Sequence, residues 1–487
     1  MHREPCTICL SPPDHRSFSV GGCRLVPAFH GPFFVVNYNQ LSLRLSLTVD
    51  ITERLTYRRI FLFWGPLALT WLMMAFEQPF LIAFIARLDE AKYNLAAFGI
   101  AGSFALIIES PIIMLMSAST ALVRGRYSYR KLKKFTDILN ATITGIQLLL
   151  LIPPVFNFIV VRLMEVPEEV ARLAHTALII FLPWAASIGY RRFYQGILIS
   201  NDLTRRVTYG TVVRLSVNVI MGILLYLAGT KGAYVGAGAM ALAVFSEAVA
   251  SKLMASGAIK ILMEKEDSEN SDLKLRAIAK FYFPLALTSM LSLGVQPFIT
   301  FFLGRSNMAV ESLAVLPVVS SLVFIFRSMG LSYQEVNIAL IGKEKQNYTI
   351  LRKYALFLGI AVTSLITLVA FTPVADLWFV KVSGLSNELA GLSYLPLKIM
   401  ILLPALTVFL NFQRSSLIIN GTTAPISVAT AVELVGIIIV LLVCVVFLNL
   451  VGVVAAAIAF VAGKIMSNFY LVPKFEAAVR GWWNLKA

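Results

Sequence analysis

From residue 426 to 448 the chain reads ISVATAVELVGIIIVLLVCVVFL, with Glu433 as its single charged residue. A run of that length crosses a ~30 Å hydrocarbon core as a helix, which needs about 20 apolar residues. Lipid offers the backbone no hydrogen-bond partners, so a spanning segment must satisfy its own N–H and C=O groups. Comparable blocks recur along all 487 residues, of which 58% are apolar and only 14% charged. Soluble domains carry about a quarter charged residues, and the mean hydropathy here is +0.80. The short alternating strands of an outer-membrane barrel are absent. These features predict an all-α polytopic membrane protein.

The apolar blocks predict twelve transmembrane helices. Six lie near 60–86, 95–123, 136–161, 173–200, 207–229 and 234–258, and six near 281–304, 313–341, 354–379, 390–419, 426–448 and 450–472. The loop RGRYSYRKLKK (124–134) carries six basic residues and no acid, whereas MEVPEEVAR (164–172) is net acidic. The positive-inside bias then puts the first loop, both termini and the linker 260–280 in the cytoplasm. The expected location is the cell inner (plasma) membrane. Lys and Arg exceed Asp and Glu by 42 − 26 = 16. That excess sits mostly in short loops, so it reads as topology and not as nucleic-acid binding.

The chain also repeats itself. A shift of 218 residues sets PLALTWLMMAFEQPFLIAFIAR (66–87) on PLALTSMLSLGVQPFITFFLGR (284–305), with ten identities in twenty-two positions and no gap. A shift of 219 sets FYQGILISN (193–201) on FQRSSLIIN (412–420). Two six-helix units entering the membrane from the same side form parallel repeats, related by a pseudo-two-fold along the membrane normal, around a central cavity. Rocking of such halves gives alternating access. Five segments are expected: an N-terminal extension 1–55, a first lobe 56–259, a cytoplasmic linker 260–280, a second lobe 281–472 and an amphipathic tail 473–487, with Trp482 and Trp483 as interfacial anchors. The extension is expected to be poorly ordered, or translated from upstream of the true start. Its Cys6, Cys9 and Cys23, near His2, His15 and His30, fit no standard zinc spacing.

The arrangement resembles the multidrug-and-toxin-extrusion (MATE) group of the multidrug/oligosaccharidyl-lipid/polysaccharide exporter (MOP) superfamily. The resemblance covers about 58–472. It rests on the early PLALT, the first-helix endings FIARL and FLGRS, the segment VPEEVARLAHTALIIFLPWAASIGYRRFYQGILISNDLTRR, and the small-residue helix GAYVGAGAMALAVFSEAVA. The FEQPF context is also similar to the progressive-ankylosis branch, whose members export small anions. The resemblance implies a secondary active exporter of a small organic molecule, coupled to a proton or sodium ion and needing no other cofactor. Expected partners are that substrate and the lipid bilayer, with the protein monomeric. A flippase for a lipid-linked saccharide or polysaccharide precursor is the second reading. A membrane-embedded lipid-processing enzyme is the third, and it would need acids and histidines clustered at one interface. The glycines of GAYVGAG read as close helix packing, and no GxxxxGK[ST] phosphate loop exists.

Charges inside spans are costly and so mark function. Glu109 and Arg327 occupy equivalent positions in the second and eighth spans, and Arg214 and Glu433 in the fifth and eleventh. The repeat swaps their sign. Two pairings follow: latches between lobes (Glu109 with Arg327, Arg214 with Glu433), or glue within lobes (Glu109 with Arg214, Arg327 with Glu433). These four residues are the expected substrate-binding or gating set. Glu77 is the candidate ion-coupling group. The resemblance implies an acid one turn later, where Leu81 stands, and i and i+4 share a face. Pro79, and Pro297 in the second unit, remove a backbone hydrogen bond and predict matched bends. The alternative for Glu77 is a plain ion pair with a basic residue. Arg191, Arg192, Gln195 and Arg414 are expected to snorkel at the cytoplasmic ends of their helices. So many arginines would nonetheless suit a phosphate or carboxylate substrate. Glu247 and Lys252, five apart, need not pair.

Overall fold

The computed structural model describes residues 55–482, apart from Asp202, 266–273 and Lys343. The cysteine-bearing extension, the middle of the charged linker (266–273) and Trp483 therefore lie outside the described residues.

In the first unit α1 comprises Tyr57–Ala75 and Glu77–Ile85, and α2 comprises Ala91–Glu109 and Leu115–Leu122. There follow α3 (Arg126–Leu150), α4 (Glu168–Ile180 and Leu182–Ser200), α5 (Thr204–Leu227) and α6 (Gly232–Glu264). The second unit has α7 (Leu275–Leu293 and Val295–Gly304), α8 (Ala309–Leu340), α9 (Tyr348–Phe371), α10 (Asn387–Met400 and Leu403–Ile419), α11 (Ala424–Leu442) and α12 (Gly452–Val479). By length and hydropathy the described residues hold eleven membrane spans, or twelve when α3 and its continuation Pro153–Leu163 count as one. Exposed apolar side chains such as Leu227, Ile360, Phe447 and Phe469 give the bundle a lipid-compatible outer surface.

The span expected near 136–161 is bent. The helix turns by 71° between Leu150 and Pro153, where consecutive prolines remove two backbone donors. The internal repeat reappears in the defects. The first and seventh helices break at Phe76 and Gly294, each three residues before its proline. α3 and α9 both run on into π-helical turns, Phe158–Leu163 and Leu377–Val382.

One break is not repeated. α2 unwinds over 110–114 while α8 runs through without a break. Pro111 cannot donate to Ile107, whose carbonyl instead accepts the Ser110 hydroxyl at 2.6 Å. The freed carbonyls of Ser110 and Pro111 accept hydroxyls from the other lobe: Ser289 at 2.6 Å and Tyr282 at 2.5 Å, both on α7. Replacing Tyr282 by Phe and Ser289 by Ala together leaves two buried carbonyls without partners. Each is expected to cost about 1–3 kcal/mol, seen as a lower thermal midpoint of the detergent-purified protein. An unchanged midpoint would show that water satisfies the broken helix.

The lobes also exchange helix ends. The first half of α1 packs on α8, whereas its second half packs on α5 and α6 of its own lobe. Ile60 sits in a cluster with Tyr333, Tyr348, Tyr354 and Trp482, and the Trp64 indole donates to the Ser332 hydroxyl at 2.8 Å. The described beginning and end of the chain thus meet at one end of the bundle, here the termini side. Trp482, expected as a lipid anchor, is 5% exposed. It packs edge-on against Tyr348 and carries Lys345 over its ring. An indole with neighbours on both sides has no free face for lipid.

Candidate functional site

Each lobe holds a buried charge cluster, and the two are built differently. In the first lobe Arg214 of α5 donates to Glu77 on α1 at 2.5 Å and stands 3.9 Å from Glu247 on α6. Glu247 also takes Arg191 of α4 at 2.5 Å and the Gln195 amide at 3.1 Å. The Asn218 amide completes the Glu77 site at 3.2 Å. A chain of alternating charge, Glu77–Arg214–Glu247–Arg191, therefore ties α1, α5, α6 and α4 together. Pro79 sets the bend that turns the Glu77 segment inward. Glu109, 5% exposed, stands apart from this chain. It accepts the Trp184 indole N–H at 2.5 Å, with Arg191, Arg192 and Arg214 near enough to act on it electrostatically.

In the second lobe Glu433 of α11 pairs with Lys464 of α12. Arg327 and Arg414 also lie within electrostatic reach of Glu433, but each donates to a neutral hydroxyl. The Arg327 Nε reaches Thr407 and an Arg414 Nη reaches Thr430, both at 3.2 Å.

Neither expected pairing scheme is seen among the described ion pairs. Glu109 does not bridge Arg327 or Arg214, and Glu433 bridges neither Arg214 nor Arg327. The sign swap between Arg214 and Glu433 is balanced inside each lobe by different neighbours. Glu77 and Glu247 serve Arg214, whereas Val295 replaces Glu77 in the second lobe and Lys464 serves Glu433. Arg191 and Arg192 do not snorkel either. They are 5% and 3% exposed, because Glu247 gives their end of α4 a charged neighbour to face. Lys464 and Trp184 were missed. Lys464 carries the same signal as the others, a charge deep in an apolar span, but a lone indole gives none.

The charged contacts between the lobes gather at the end of the bundle opposite the termini, the far side. Lys92 at the start of α2 pairs with Glu311 at the start of α8. The repeat-related Arg87 and Arg305, at the ends of α1 and α7, reach into the opposite lobe at corresponding places. Arg87 donates to the carbonyls of Lys381 and Val382 at 2.5 and 2.9 Å, and Arg305 pairs with Glu165 at 3.3 Å. In mid-bundle α2 and α8 cross closely. A Cβ on Gly99 would sit 3.1 Å from Pro317 and 3.3 Å from the Leu313 carbonyl.

The MatE family model matches residues 66–224, from α1 to α5. No curated protein sequence matches. Solved structures match nearly the whole chain. An inward-facing multidrug resistance MATE family transporter of the MOP superfamily is 17% identical, covering 91% of this chain and 99% of its own, with a TM-score of 0.58. The lipid II flippase MurJ in an inward closed conformation is also 17% identical, covering 87% and 90%, with a TM-score of 0.66. A MOP superfamily transporter from Pyrococcus furiosus, described as having a binding pocket of reverse polarity, covers 84% and 96% at 17% identity and a TM-score of 0.52. The family match is confined to the first lobe, and over most of its length the chain shares the fold of MATE transporters of the MOP superfamily.

Proposed function

We propose that this protein is a secondary active exporter of a small organic molecule, working by alternating access of its two lobes. The charged contacts between the lobes at the far side carry this reading. The charged inter-lobe contacts of Arg87, Lys92 and Arg305 close the far side. They are polar and partly exposed, and such contacts are exchanged for water at little net cost. With the basic 124–134 loop inside, the far side is the external face of the inner membrane and both termini are cytoplasmic. The chain acts as a monomer and as a transporter, not as an enzyme.

Glu77 is the coupling group in this reading. Its carboxylate holds Arg214 and Asn218, so taking up a proton would cancel its charge and loosen α1 from α5. Reconstituted into liposomes, the protein is expected to move substrate when a proton or sodium gradient is imposed. Glu77→Gln is expected to abolish the dependence on that gradient. Gradient dependence identical to the parent would remove Glu77 from coupling, and absence of any flux would count against the exporter itself. A flippase for a lipid-linked saccharide is the second reading, favoured by the TM-score of 0.66 to the lipid II flippase. Scrambling of a labelled lipid-linked saccharide in the same liposomes separates the two.

A further inference from the structure

The two clusters differ in net charge. In the first lobe Glu77, Glu109 and Glu247 stand with Arg191, Arg192 and Arg214, three of each sign. In the second lobe Arg327, Arg414 and Lys464 share one acid, Glu433. Glu335, the buried acid of α8, does not restore the balance. It lies eight residues beyond Arg327, about 12 Å along the helix, and makes no ion pair among the described residues.

The excess comes with spare donors. Lys464 occupies the one carboxylate. Among the described residues Arg327 and Arg414 donate only to threonines, although each guanidinium has five N–H groups. Both are only partly buried. The Arg414 Nε has no partner, and neither has either end of the Gln413 amide, which is 0% exposed. Ser427 on α11 and Ser467 and Asn468 on α12 add further unpaired polar atoms. Guanidinium charges that bridge no carboxylate are costly in a membrane interior, and their planar forks match carboxylate and phosphate oxygens.

The geometry points to an anion-binding site inside the second lobe, formed by Arg327, Arg414 and Lys464 and taking the phosphate or carboxylate groups of a small solute. The site deepens the exporter reading and rests on it: it is where the transported molecule's anionic end is held. The balanced first lobe contributes no such excess, so anion recognition belongs to one half of a duplicated bundle.

The test is equilibrium binding of inorganic phosphate and of citrate to the full-length protein in neutral detergent, at constant ionic strength. Saturable binding of at least one is expected. Arg414→Gln is expected to weaken it at least tenfold, about 1.4 kcal/mol. Arg414→Lys, which keeps the charge and loses the fork, is expected to fall between, and Lys353→Gln at an exposed position of α9 to bind as the parent does. Melting curves confirm that each variant is folded. Binding of neither anion, or equal binding by Arg414→Gln and the parent, overturns the site. Binding seen only with phosphatidic acid in nanodiscs overturns the solute assignment in favour of a lipid headgroup. Flux of a cationic dye without anion binding overturns the site and leaves the exporter standing; anion binding without any flux does the reverse.

Discussion

Replacing Arg214 by Leu is expected to destabilise the protein by about 3–5 kcal/mol, the range for removing one partner of a buried ion pair. The loss exceeds that of a surface charge because two acids depend on this side chain. Glu77, 2.5 Å away, keeps only the Asn218 amide, and Glu247 keeps Arg191 and Gln195. The double variant Glu77→Leu, Arg214→Leu is expected to recover most of the loss, since Glu247 stays paired and two apolar side chains meet where two charges did. Reversal, Glu77→Arg with Arg214→Glu, is not expected to recover it, because the new Glu would face Glu247. Melting of the purified variants, analysed as a double-mutant cycle, reads all three. Recovery by reversal would mean that Glu77 and Arg214 form an isolated pair. A second cycle, Arg214→Glu with Glu433→Arg, is expected to show no coupling, since their lobes balance these charges separately.

Why the sequence misassigned these partners follows from what a sequence records. It fixes depth along a span, so Arg214, Glu433, Glu109 and Arg327 were all legible as charges in the wrong solvent. It does not fix which neighbour each span turns toward. Arg214 meets Glu77 across 137 residues, and α1 faces α5 there only because the bend before Pro79 turns its second half back to its own lobe. The same bend sends the first half of α1 onto α8, an exchange that hydropathy cannot reveal, since an apolar helix suits either lobe. The twelve spans and the repeat were legible for the opposite reason: lipid imposes length and polarity on each segment separately. The unwinding of α2 was signalled by Pro111, but its rescue by Tyr282 and Ser289 needed the partner lobe in place.

The second large effect is expected at Gly304, where the lobes come closest on the far side. A Cβ there would lie 2.3 Å from the Met164 carbonyl oxygen and 3.2 Å from a Val166 methyl. The first is a backbone atom in the opposite lobe, so no rotamer change can relieve the overlap, and the lobes must part. Overpacking typically costs about 1–3 kcal/mol. Applied to one conformation only, that shifts a two-state balance by roughly tenfold to a hundredfold. Gly304→Val should therefore depopulate the far-side-closed state and slow transport by a similar factor, while leaving each lobe folded. Amide exchange should quicken in segments 163–167 and 304–308, which face each other across the closure, and stay slow in the interiors of α6 and α12. The contact is local, whereas general unfolding would raise exchange everywhere. Parent-like exchange and transport would show that closure is set elsewhere, by Lys92 and Glu311 or by Arg87. The repeat supplies the control: Ala86, the equivalent of Gly304 in the first lobe, already carries a Cβ and is 7% exposed. The two halves therefore close on each other with unequal clearance, and the half with none to spare sets how far the far side can shut.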